Sequence, residues 1–253
     1  MATIKVCTDR VLPEQLQEQA AKKALLENPN NFPVVEQKPG TLPPDPQQMA
    51  LLTGKLWKPG RKLRVRFLEG DAAVKAKVEQ YAHVWSQHAK ITFEFGDDPN
   101  AEIRISFSQP GSWSYIGTDA LSVPAAEPTM NYGWLTPTTE DQEYSRVVLH
   151  EFGHALGCIH EHQSPGAGVI PWDREAVYRL YGGPPNNWPR SVVDQNIFRT
   201  YDRSLTRYSK FDPKSIMLYA IPDELTIGDW SVGWNTELST TDKRFIKKIY
   251  PGA

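Results

Sequence analysis

Cysteine is nearly absent from this chain. Cys7 and Cys158 are the only two in 253 residues, far from the disulfide framework that small secreted domains depend on. Long apolar runs are missing too, and none approaches the ~18 residues of a membrane-spanning helix. The N-terminus, MATIKVCTDRVLPEQ, has no apolar segment of the kind that opens a secretory signal. These shortages favour a reduced, cytoplasmic compartment, or else export by a route not visible in the sequence. Neither sign of charge is in excess: 28 Lys and Arg against 30 Asp and Glu leave a net −2. That balance gives no reason to expect nucleic acid or an anionic membrane as partner. No internal repeat appears. What is present, 40% hydrophobic and 23% charged residues, suits a globular chain able to bury a large core.

Histidine is also scarce, yet four of the six fall between His150 and His162, in HEFGHALGCIHEH. On a helix, His150 and His154 share one face a turn apart, the spacing that two ligands of one metal ion need. Glu151 lies between them and can hold a carboxylate near a metal-activated water without being a ligand. Gly157 follows where the helix should stop. A residue with free access to positive φ lets the chain turn and return His160 to the same ion. Three neutral nitrogen ligands and an open position describe one catalytic zinc; a structural site would be closed by a fourth protein ligand. His162 is two residues past His160 and should point elsewhere, into a solvent-facing or hydrogen-bonding role. His83 and His88 sit five apart on another helix and read as ordinary surface or core residues.

The pattern HExxHxxGxxH followed by Glu161 resembles the metzincin zinc peptidases, and the glutamate after the third histidine resembles their astacin branch. The clan's methionine turn, SxMxY, is matched by Ser215-Ile216-Met217-Leu218-Tyr219. The resemblance implies an α+β zincin of two lobes. A twisted, mixed five-stranded sheet with backing helices lies above, an irregular helical lobe below, and the zinc in the cleft between. It also implies that Met217 packs beneath the site and that Tyr219 resembles the removable tyrosine ligand of astacins, its hydroxyl then free to donate to an oxyanion. Astacins usually continue after the third histidine with a DR pair; Asp173-Arg174 resembles that pair, displaced by the loop from His162 to Gly168.

Residues 1–55 form an N-terminal lead-in and residues 56–253 the catalytic domain. In the lead-in, Ile4 to Cys7 suits a short strand, Pro13 to Leu26 a helix, and the five prolines from Pro33 to Pro46 an extended linker. Strands are expected at 62–68, 91–95 and 102–107, with a helix capped by Asp71 between the first two. Gly111 to Gly117 resembles the segment leading to the strand at the cleft rim, and that strand and its neighbour are expected within 119–135. Pro124 and Pro128 suit an exposed edge, to which a peptide substrate can add as an extra strand. Thr138 or Thr139 should cap the active-site helix. Further helices are expected at 174–181, 190–201 and 241–250.

The function this implies is endopeptidase action through a metal-activated water, with Glu151 as general base and Tyr219 assisting. The expected partner is a protein or peptide substrate and the expected state a monomer, while calcium stays unassigned. Two alternatives share the residues: an inert zinc-binding module, and a zinc hydrolase of a non-peptide amide. Cys7 carries a last expectation. Related zinc peptidases are kept latent by a cysteine or aspartate from an N-terminal segment, and the linker is long enough to bring Cys7 over the cleft; the competing reading makes Cys7 a half-buried strand residue. In astacins the mature N-terminus reaches the glutamate after the third histidine, so a cut near residue 55 would free an amine for Glu161.

Overall fold

The computed structural model describes residues 7–8, 10–32, 54–168, 170–184, 186–201 and 209–252. Its strands are β1 (Lys62–Phe67), β2 (Thr92–Phe95), β3 (Ile103–Ser106), β4 (Ser112–Ser114) and β5 (Met130–Tyr132). They form one mixed sheet in the order β2-β1-β3-β5-β4, parallel except for the antiparallel β4–β5 pair. The alternation in KLRVRF does what a half-exposed strand requires: Leu63 and Val65 are fully buried while the basic residues between them are not. Helix α2 (Ala72–Ser86) backs the sheet with Val74, Val78, Ala82 and Trp85, and the Asp71 carboxylate accepts the amides of Ala73 and Val74 at its start. The Trp85 indole donates to the carbonyl of Leu149 at 2.9 Å, fixing α2 to the helix that carries HExxH, α3 (Asp141–Ala155).

Two local expectations are corrected. The rim strand is not within 119–135: the sheet edge is β4 at Ser112–Ser114, and only its neighbour β5 falls in that range. Residues Gly117–Ser122 instead wind into a 3-10 turn, with Gly117 at φ +50° and its Cα packed so close to the carbonyl of Lys55 that a side chain would collide. The cap of α3 is Glu140 without a side-chain bond, because Thr139 Oγ1 accepts from the Thr136 amide.

After Gly157 the chain builds the irregular lower lobe. It contains α4 (Arg174–Gly182), α5 (Arg190–Val193) running into a π-helical turn Asp194–Phe198, and α6 (Thr240–Ile249). The helix expected over 190–201 therefore ends at Phe198, and in changed form.

The lead-in is docked on this body. Helix α1 (Glu14–Glu27) lies against the 3-10 turn, where Leu12, Ala20 and Val123 make a small apolar cluster and Lys23 donates to the Leu121 carbonyl at 2.6 Å. Buried Asn31 then binds the chain on the far side of the linker. Its amide nitrogen donates to the carbonyls of Ala24 at 2.9 Å and Leu56 at 2.8 Å, and its Oδ1 accepts the Leu56 amide at 2.9 Å. Ile4 to Val6 and the proline-rich stretch 33–46 lie outside the described residues. Cys7 and Arg10 form isolated parallel bridges to Ser112 and Tyr115, so the start of the lead-in runs along the sheet edge.

Replacing Asn31 with Ala leaves the Leu56 amide and carbonyl without their partner in a buried place, while the Ala24 carbonyl keeps the Asn28 amide, a loss of about 1–3 kcal/mol. The expected outcome is a lower urea midpoint and faster proteolytic removal of the lead-in; an unchanged midpoint and cleavage rate would contradict the role given to this side chain.

Candidate active site

Helix α3 is buried along most of its length, Val147, Val148 and Phe152 facing the core and His150 and His154 the cleft. It ends as its sequence demands. The amide of Gly157 donates to the His154 carbonyl at 2.8 Å and that of Cys158 to the Gly153 carbonyl at 2.9 Å, the paired bonds of a Schellman cap, with Gly157 at φ +95°. The reversal delivers His160. The Nε2 atoms of His150, His154 and His160 then stand 3.2 Å apart in all three pairs.

That spacing fits zinc. Nitrogens about 2.0–2.1 Å from a tetrahedral ion lie roughly 3.3–3.4 Å from each other. The tautomers agree. His150 Nδ1–H donates to the Ile216 carbonyl at 2.8 Å and His154 Nδ1–H to the Cys158 carbonyl at 2.9 Å, while His160 Nδ1 faces Gln163 Oε1 at 3.3 Å. Each Nε2 is thereby left as a lone-pair donor. Burial, and then the neighbouring His154 and His160, hold His150 well below the usual imidazole range, so it stays neutral as a ligand must. Among the described residues, these three form the group whose ligand atoms lie within 4.8 Å of one another.

Glu151 is fully buried beside them. Cys7 is buried nearby: burial first, and then the charge of Glu151, pushes its thiol well up. Cys7 is thus at the site but outside the three-histidine group. Its backbone is engaged as well: the Tyr219 hydroxyl donates to the Cys7 carbonyl at 2.5 Å while standing 2.6 Å from His160 Nε2. Met217 forms the floor. A Cβ on Gly153 would collide with its sulfur, so the middle glycine of HEFGH is there to let Met217 in.

Glu161 accepts the Asp212 amide at 2.8 Å, and burial pushes its carboxyl up to about 7 against that bond's pull downward. Nε2–H of His162 donates to the Asn196 carbonyl at 2.9 Å, its ring stacked 5.2 Å from that of His160, which is the hydrogen-bonding role expected of it. Asp173 caps α4 through the Ala176 amide, and Arg174 pairs with Asp194 over the Phe198 ring, so the DR pair serves the lower lobe. Two contributors escape sequence reasoning. Gln163 orients His160 and is itself fixed by donating to the Gln195 carbonyl at 2.9 Å. Arg146, one turn before His150, is buried against Glu143 and stacked 4.1 Å from the Trp234 ring centre. Neither carries a motif, since their partners are far away in sequence or generic.

Residues 52–251 match the family model of the astacin peptidases. The chain belongs to the astacin family. A solved structure of myroilysin is 48% identical over 79% of this astacin and 97% of that chain, with a TM-score of 0.76. A second myroilysin structure covers 98% of this chain and 100% of its own at 40% identity and a TM-score of 0.62. More distantly, matrix metalloproteinase-2 of Drosophila melanogaster is 24% identical over 49% of this chain and 20% of its own length. Macrophage metalloelastase of Oryctolagus cuniculus is 25% identical over 70% of this chain and 42% of its own. The chain therefore spans well under half the length of these curated relatives. The family is one of zinc metallopeptidases, as the motifs imply, and the relatives give no support to an inert module or a non-peptide amidase. Among the described residues, no helix is long and apolar enough to cross a membrane.

Gly153→Ala in this astacin forces Met217 off its place and is expected to cost about 1–3 kcal/mol. The thermal midpoint of the zinc-loaded protein should fall and zinc should leave more readily to a chelator. A midpoint and chelation rate equal to wild type would show that Met217 has room to give way.

Proposed function

We propose that this chain is a zinc endopeptidase whose cleft is closed by its own residues 1–55, residues 56–253 being the catalytic domain. The observation that carries the reading is Cys7: its carbonyl takes the hydroxyl of Tyr219, which stands directly beside three convergent imidazoles. A peptide in the same place would put its scissile carbonyl where the Cys7 carbonyl lies.

His150, His154 and His160 would hold the zinc, which when bound lowers the pKa of water from 15.7 towards ~7 and polarises a carbonyl. Glu151 takes a proton from the attacking water and returns it to the leaving amine. The enclosure of its carboxylate keeps bulk water from competing for that proton. Tyr219 donates its hydroxyl to the carbonyl oxygen as charge grows there, in the same geometry by which it now holds Cys7. The edge strand β4 supports an extended substrate by main-chain pairing, as it supports Cys7 and Arg10, with the Thr8 amide donating to the Ser112 carbonyl at 3.2 Å.

Latency follows from occupancy. While the Cys7 carbonyl holds the Tyr219 hydroxyl, that hydroxyl cannot serve a substrate, and the lead-in stands in the substrate's place. The expectation that Cys7 is a strand residue and the expectation that it blocks the site describe one arrangement. Release of the lead-in would also uncover a new N-terminus near residue 55, available to Glu161 once the Asp212 amide yields.

Glu151→Gln is expected to retain one zinc per chain by elemental analysis and to lose about 10²–10⁴-fold in turnover of an internally quenched peptide; near-normal turnover would remove Glu151 from its role. Cys7→Ser, or removal of residues 1–50, should raise activity on a small peptide without changing zinc content. Activity that stays level, or falls together with thermal stability, would make the lead-in a fixed part of the fold and not a closure.

A further inference from the structure

The lead-in shows more than closure, because it lies, in parallel, along the edge assigned to a substrate and one of its side chains is bound there. Arg10 bridges Tyr115, three positions along from the Cys7–Ser112 bridge. Its guanidinium carbon stands 4.2 Å from the centre of the Trp113 ring. Trp113 and Tyr115 are two apart on one extended edge and therefore share a face of the sheet. Their rings meet edge to face at 6.1 Å, forming an aromatic shelf at the sheet edge. Arg10 Nε and Trp113 Nε1 are both buried without a hydrogen-bond partner. The cation is held by the ring face.

We infer that Trp113 and Tyr115 form a substrate subsite for a lysine or arginine side chain, which Arg10 fills while the lead-in is in place. The inference rests on the cleft reading above. Direction follows from the strand. β4 begins at Ser112, where the carbonyl of the paired Cys7 takes the Tyr219 hydroxyl, and leads away towards Tyr115. A substrate laid antiparallel to β4, the more stable pairing, reaches the shelf with a residue about three positions before the scissile bond. Subsite and lead-in thus compete for one cation site, so the enzyme's preference is written in its own N-terminal segment.

The test compares matched peptides carrying arginine or neutral, isosteric citrulline at each of the positions preceding the cut, using the zinc-loaded full chain with Cys7→Ser. Arginine is expected to raise kcat/KM by about three- to thirty-fold at the third or fourth position, the range of a cation over an aromatic face. Trp113→Leu should bring that ratio to about one, and Trp113→Tyr should keep part of it. A preference found only after the cut, or nowhere, overturns the inference, as does a ratio unmoved by Trp113→Leu. A second measurement needs no turnover: a double-mutant cycle of Arg10→Gln and Trp113→Leu on urea unfolding of the full chain. Coupling of about three-fold or more in the unfolding constant supports the shelf, and additive effects overturn it. Should neither the wild type nor Cys7→Ser cleave any peptide, the peptidase reading fails while the cycle still decides whether the shelf holds a cation.

Discussion

The reversal at Gly157 is the constraint on which the metal site depends. A helix alone can align two imidazoles, and the third must come from outside it. The C-terminal cap supplies the turn through two backbone bonds that only a residue at positive φ can accept. The turn is itself enclosed, since a Cβ at Gly157 would press on Leu56. The Trp57 indole donates to the Ala155 carbonyl at 2.7 Å and the Tyr250 hydroxyl to the Leu156 carbonyl at 2.7 Å, so the last open carbonyls of the helix are met from both ends of the catalytic region. Helix end, ligand spacing and domain packing are one arrangement.

The lead-in is held differently from the body. The core that joins sheet, α2 and α3 is large and apolar, whereas the lead-in contributes Cys7 to it and is otherwise held by a three-residue cluster, hydrogen bonds centred on Asn31, and side-chain and bridge contacts along a strand edge. An edge pairing of this length can be undone without opening the core. The edge that the lead-in covers is the one assigned above to an extended substrate, so on that reading one short segment serves as both edge cover and stopper.

The metal site was legible because its chemistry fixes residue types at fixed spacing, and because glycine at a helix end has a conformational meaning. Strands β1, β2 and β3 were legible from alternation. The rim was not. β4 and β5 have three residues each, too few for a period, and they are placed by tertiary wiring: the Asn131 amide donates to the carbonyls of Gln109 and Gly111, and Gly133 approaches the Gln109 carbonyl too closely for any side chain. The threonine cap failed for a related reason, since Thr139 satisfied a nearer amide first. Gln163 and Arg146 act through partners that no local pattern announces.

Asp242 links the metal site to the end of the chain. Its carboxylate closes the capping box of α6 with Ser239, accepts the Ser215 hydroxyl at 2.8 Å and accepts the Ile216 amide at 2.9 Å, while the Ile216 carbonyl takes the proton of His150 Nδ1. One metal ligand is therefore oriented by a helix that lies about ninety residues further along. Seen from the ribosome, this sets an order of assembly. The N-terminal segment emerges first, the three histidines midway, and the residues that fix His150 last. The site reaches its full geometry only when the rest of the chain is already in hand.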